Sequence, residues 1–213
     1  MQGSDAPTHS AAIIARDLAC QRGDRLLFRR LTLTLGAGEA CHITGANGVG
    51  KTTLIRTLAG LSLPYAGEAQ CTGTVGLLDE RTGLDPEQPL GRALDFWFGL
   101  DGTADAGAVM ERLRLADLAE VPVRYLSTGQ RKRAGLARLL GQAADVWLLD
   151  EPLSGLDTAS QALVEEVVRE HITRGGAALI ASHQALRIEG LRTLALEDFV
   201  PPMEAPEDAE ALA

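Results

Sequence analysis

Two hydrophobic rhythms alternate along this chain. LTLTL (31–35) places apolar and polar residues in turn, the period-2 mark of a half-buried strand. ACHIT (40–44) runs directly into a glycine-rich loop. TTLIRTLAG (52–60) then changes period: Leu54, Ile55 and Leu58 share one helical face, with Gly60 as its stop. AVMERLRLADLAE (108–120) reads as a second amphipathic helix. VWLL (146–149) is apolar at every position, as expected of a strand covered on both faces. QALVEEVVREHI (161–172) sets Leu163, Val164, Val167, Val168 and Ile172 on one face, and AALIAS (177–182) is another buried strand. Strands alternating with helices predict an α/β domain over residues 11–200, with a mostly parallel sheet and helices on both sides. Residues from about 79 to 135 are helix-rich and read as a small subdomain beside that sheet. Residues 1–10, polar and Pro-containing, read as a flexible arm, and 201–213, PPMEAPEDAEALA, as an acidic disordered tail.

Composition narrows the function classes. The 213 residues suit one domain with at most a small subdomain. The net charge of −9 is concentrated at one end: six acids follow from Glu197 onward, with no Lys or Arg. The remainder is nearly balanced and offers no basic face for a phosphate backbone, so no nucleic-acid partner is expected. The cysteines, Cys20, Cys41 and Cys71, are odd in number and lack metal-ligand spacing, so they read as small buried side chains in a reducing compartment. No run approaches 18 apolar residues, and no basic stretch followed by an apolar one opens the chain. A cytosolic protein is expected, one that can still sit against a membrane protein.

GANGVGKTT (45–53) carries the first chemistry. Gly45, Gly50, Lys51 and Thr52 match G-x-x-x-x-G-K-[ST]. The glycines allow dihedrals and close approaches that a Cβ forbids. Backbone amides from Ala46, Asn47, Gly48, Val49 and Gly50 through to Thr53 can then converge on phosphate oxygens at a helix N-terminus. Lys51 adds a point charge between the terminal phosphates, and Thr52 offers a hydroxyl to Mg²⁺. WLLDEP (147–152) supplies the complement. Asp150 stands at the carboxyl end of a buried strand, where it can orient Mg²⁺ or its waters, and Glu151 can polarise an attacking water. Loop and acid pair together indicate nucleotide hydrolysis, but do not separate kinases, GTPases, helicases and transport ATPases.

LSTGQRKR (126–133) separates them. Leu126, Ser127, Thr128, Gly129 and Gln130 resemble the signature segment of the nucleotide-binding subunits of ABC transporters, and Ser127 lies 23 residues before Asp150. SGLD (154–157) resembles that family's D-loop, with Asp157 also suited to cap the following helix. His183 in ASHQ resembles its switch histidine. With the loop and the acid pair this makes five motifs in order, over about residues 12–190. The resemblance implies a P-loop NTPase fold of the ABC type and an ATPase that uses Mg²⁺. It implies a head-to-tail homodimer in which the signature of one chain meets the γ-phosphate held by the other. His183 would then sense that phosphate and position water for Glu151. It also implies integral membrane subunits as partners, with this chain peripheral at the cytoplasmic face of the inner membrane. His9, His42 and His171 stand in no motif and are assigned nothing.

Two positions depart from the family pattern. Where a glutamine usually follows the second sheet strand, VGLLDERTGLDP (75–86) offers Glu80 or Arg81. Where many members stack an aromatic on adenine, this chain has Arg22, whose planar guanidinium can also stack on a base. Residues 15–39, 43–68 and 121–140 are similar throughout to one branch, the haem-exporter ATPases of bacterial cytochrome c biogenesis. That likeness implies haem export or delivery as the work powered. An ABC ATPase for another cargo, or a nucleotide-gated subunit with weak turnover, are the competing readings.

Overall fold

The computed structural model describes residues 12–102 and 105–202; the N-terminal arm and all but the first two residues of the tail lie outside them. Two sheets form the body. β1 (Ala12–Arg22), β2 (Arg25–Leu35) and β4 (Ala66–Thr72) make an antiparallel sheet in the order β2-β1-β4. β3 (Ala40–Thr44), β5 (Val75–Leu78), β6 (Val146–Asp150), β7 (Ala177–Ala181) and β8 (Arg192–Ala195) make a parallel sheet in the order β5-β6-β7-β3-β8. The parallel sheet was expected. The separate antiparallel sheet, which claims the LTLTL strand, was not.

Period 2 explains why the buried strands read as unbroken apolar runs. In β6, Val146 and Leu148 enter the core shared with β1, β2 and the helix α1 (Lys51–Leu58), while Trp147 and Leu149 enter a second core on the opposite face. β7 divides likewise, with Ala177, Leu179 and Ala181 on one side and Ala178 and Ile180 on the other. The second core belongs to α2 (Leu90–Asp101), α3 (Ala106–Arg112), α4 (Thr128–Gly141) and α5 (Thr158–Thr173).

The helix expected over 108–120 is shorter and interrupted. α3 ends at Arg112, Arg114 takes a left-handed φ of 55°, and a separate 3-10 turn spans Ala116–Leu118. Burial decides this: Leu113 and Leu115 are both fully buried, and a continuous helix would turn them about 200° apart. The α4 residue Arg133 closes the break by donating to the carbonyls of Leu113 (2.8 Å) and Arg114 (2.9 Å). Of the cysteines, Cys20 and Cys41 are buried as expected, whereas Cys71, on the sheet edge strand β4, is half-buried.

Candidate nucleotide site

The glycine loop joins β3 to α1 at the carboxyl end of the parallel sheet. Gly45 and Gly50 adopt φ of 145° and 121°, and a Cβ at Gly50 would meet the Phe28 ring at 3.1 Å. α1 begins at Lys51 with no side-chain cap on its first amides. Those donors and the positive end of the helix dipole therefore stay free for an anion. Around the loop lies a cavity of about 200 Å³. Asn47, Gly48, Gly50, Lys51, Thr52 and Thr53 line it together with Arg22, Leu27 and Glu151.

Lys51 is 6% exposed, and its Nζ donates to the carbonyls of Gly45 (2.6 Å) and Ala46 (3.3 Å). It also lies 3.7 Å from Glu151 Oε1. Glu151 sits just past β6 with a left-handed φ of 47°, uncommon for a residue with a Cβ. Its amide donates to the Ala181 carbonyl at 2.7 Å, which holds that backbone. Its Oε2 accepts from His183 Nδ1 at 2.8 Å and from Ser182 Oγ at 3.3 Å. Lysine, glutamate and histidine thus form one chain, of which Lys51 and Glu151 line the cavity. Asp150 is 6% exposed, and burial pushes its carboxyl above the usual range, while the Thr52 hydroxyl bonded to it pulls the other way. Its Oδ1 is buried and has no hydrogen-bond partner. An orphaned carboxylate oxygen beside a hydroxyl fits a hard cation, which keeps few protein ligands. The residues therefore suit Mg²⁺, and Thr52 and Asp150 are the side chains that would hold it.

The signature residues are placed elsewhere: none of Leu126–Gln130 lines this cavity. Leu126 is buried, while Ser127 and Thr128 are exposed at the start of α4. Ser127 caps that helix, accepting from Gln130 NH at 3.3 Å, and Gln130 Oε1 accepts from Ser127 NH at 2.8 Å. Gly129 packs against the D-loop; a Cβ there would lie 3.3 Å from the Gly155 carbonyl. Asp157 caps α5 through Oδ1, accepting from Ser160 NH at 2.7 Å, and that hydrogen bond holds its carboxyl below the usual range.

Three residues of the site had no sequence signal. Parallel pairing of Leu78 with Leu149 puts Asp79 beside Asp150. Its side chain is 15% exposed and lies 3.9 Å from Arg56, whereas Glu80 and Arg81 are both exposed. Lys132 on α4 is half-buried, which lowers its pKa, while Asp150, Glu80, Glu151 and Asp79 oppose that shift. Glu197 Oε1 accepts from Ala46 NH and so anchors the loop from 151 residues away.

A family model described as "ABC transporter" matches residues 28–154, which span the glycine loop, the signature and the acid pair. The chain belongs to the ABC transporter family. Among curated ABC proteins it is 52% identical to the cytochrome c biogenesis ATP-binding export protein CcmA of Novosphingobium aromaticivorans, over 89% of this chain and 97% of that one. It is 48% identical to the protein of the same name from Zymomonas mobilis, over 90% and 87% of the two chains. The fold is that of an ABC transporter ATP-binding protein from Pyrococcus furiosus, at a TM-score of 0.76 and 24% identity, covering 89% of this chain and all (100%) of that one. No helix among the described residues is long and apolar enough to cross a membrane.

Proposed function

We propose that this ABC ATPase hydrolyses Mg·ATP to power haem export or delivery for c-type cytochrome maturation, as a peripheral subunit at the cytoplasmic face of the inner membrane. The observation that carries the hydrolytic reading is the Lys51–Glu151–His183 chain, whose first two members line a cavity shared with the glycine loop. The pathway rests on relatives that are named as cytochrome c biogenesis export proteins and match nearly the whole chain.

The residues divide the work by chemistry. The loop amides and the α1 dipole hold the phosphates, and Arg22 lies over the cavity where a base can stack. Lys51 leaves the Gly45 and Ala46 carbonyls for phosphate oxygens, which frees Glu151 to orient a water and accept its proton. His183 keeps Glu151 in place through Nδ1–H, and Nε2 would donate to the γ-phosphate when the ring carries a hydrogen on both nitrogens. Thr52 and Asp150 would hold the cation, which would supply neutralisation of the charge on the phosphates.

The signature lies outside its own chain's cavity, which supports its use in trans: two chains pair head to tail, and Ser127 with the first α4 amides closes the partner's ATP. Integral membrane subunits complete the transporter. Ser127→Arg tests the pairing. It should abolish ATP-driven dimerisation in analytical ultracentrifugation and lower turnover by at least about a hundredfold. Unchanged dimerisation and turnover would rule out closure by this residue. For the pathway, cells lacking the chain should lose haem attachment to periplasmic c-type cytochromes and regain it with the wild-type gene.

A further inference from the structure

His42 is 6% exposed in the middle of β3, on the sheet face opposite to Cys41 and Ile43. Its Nε2 lies 3.0 Å from the carbonyl oxygen of Ser182, 140 residues away. A carbonyl only accepts, so Nε2 carries the hydrogen and donates it. The parallel register pairs His42 with Ile180, and β7 ends one residue later, at Ala181. Ser182 continues the pairing by donating its NH to the Ile43 carbonyl at 3.2 Å. Both sides of the Ser182 backbone are therefore hooked to β3, one through main chain and one through an imidazole. Ser182 is 0% exposed, and Gln184 NH donates to its hydroxyl at 3.0 Å.

We propose that His42 is a positioning residue for ATP hydrolysis: its imidazole fixes the Ser182 carbonyl, and with it the segment from which Ser182 and His183 reach Glu151. Three contacts depend on that segment: Ser182 Oγ at 3.3 Å, His183 NH at 3.4 Å and His183 Nδ1 at 2.8 Å, all to Glu151 Oε2. β3 also feeds the glycine loop three residues after His42. One strand thus sets phosphate grip and base geometry against each other. An unpartnered buried carbonyl at Ser182 would seek another donor, and the short segment has no slack to do so without moving His183. A displacement of about 1 Å in a reacting group is enough to cost two orders of magnitude in rate.

This inference rests on Glu151 as the base, so Glu151→Gln is run beside it. Three exchanges at His42 are measured in the full chain with Mg·ATP: His42→Leu removes the donor, His42→Asn keeps an amide too short to reach, and His42→Gln places an amide nitrogen near the position of Nε2. The expected result is a kcat about tenfold lower for Leu and Asn, with the KM for ATP within about twofold, and recovery to within about threefold of wild type for Gln. Thermal unfolding confirms that each variant is folded; if His42→Leu does not fold, the Asn and Gln pair carries the comparison. A wild-type kcat in the Asn variant, equal loss in Asn and Gln, or a change confined to KM would each overturn the proposal. If Glu151→Gln keeps turnover, the fault lies in the assignment of the base and not in His42 alone.

Discussion

Glu151→Gln separates the chemical role of this residue from its structural one. The exchange keeps size and one acceptor oxygen but removes the charge. In the structure the lost charge faces Lys51 Nζ at 3.7 Å, with Glu151 24% exposed. At an effective dielectric constant of about 20, attraction across that gap is about 4 kcal/mol before desolvation is counted. Desolvation and water access cancel most of it, so the net loss of stability should be about 1 kcal/mol or less. Moreover, Lys51 keeps its two carbonyl partners. Proton transfer is a different matter, because an amide cannot accept a proton from water. Loss of a general base costs about 10²- to 10⁴-fold in rate. The assay pairs phosphate release under saturating Mg·ATP with equilibrium binding of a fluorescent ATP analogue and thermal unfolding. Turnover should fall at least a hundredfold, while nucleotide affinity stays equal or tightens and ATP-bound dimers accumulate. A variant that turns over within tenfold of wild type would refute the assignment of Glu151 as base.

Three further outcomes follow from particular contacts. Burial raises the Asp150 carboxyl pKa, so its charge is less favourable in the fold than in the unfolded chain, and a neutral side chain removes that cost. Asp150→Asn should therefore raise the melting temperature of the apo chain while abolishing Mg²⁺-dependent turnover; a lower melting temperature would count against the burial argument. Gly141→Ala places a Cβ 2.5 Å from the Phe98 ring in a packed core and should cost about 1–3 kcal/mol, read from denaturant unfolding, with kcat per folded molecule unchanged. His171 stacks on Trp147 at 3.9 Å between centroids, and burial lowers its pKa below the ordinary 6.5. The unfolded chain then binds the proton first, so stability should fall as pH drops below about 6.5 toward the folded value. His171→Phe should flatten that part of the stability–pH curve.

Local pattern carried much of this protein by itself. The glycine loop, the acid pair at the end of an all-apolar strand and the two segments that resemble a signature and a switch histidine are each contiguous, so they could be read before the fold was known. β6 and β7 were readable because a strand sandwiched between two cores must be apolar on both faces. The antiparallel sheet was less legible: β1 mixes exposed charges into its buried run and shifts register between Ala15 and Leu18 and again before Gln21, which blurs period 2. α2 hid for a related reason, since Phe96 and Leu100 are exposed apolar residues that spoil its polar face. The break after Arg112 arose because two leucines had to enter one core. Which side chains complete the site was decided only by folding. Asp79 reaches Asp150 through strand register, Glu197 reaches the Ala46 amide across 151 residues, and His42 reaches the Ser182 carbonyl across 140. Such contacts leave no periodic trace, because sequence spacing encodes which face of an element a residue occupies, whereas the neighbour on that face comes from chain topology.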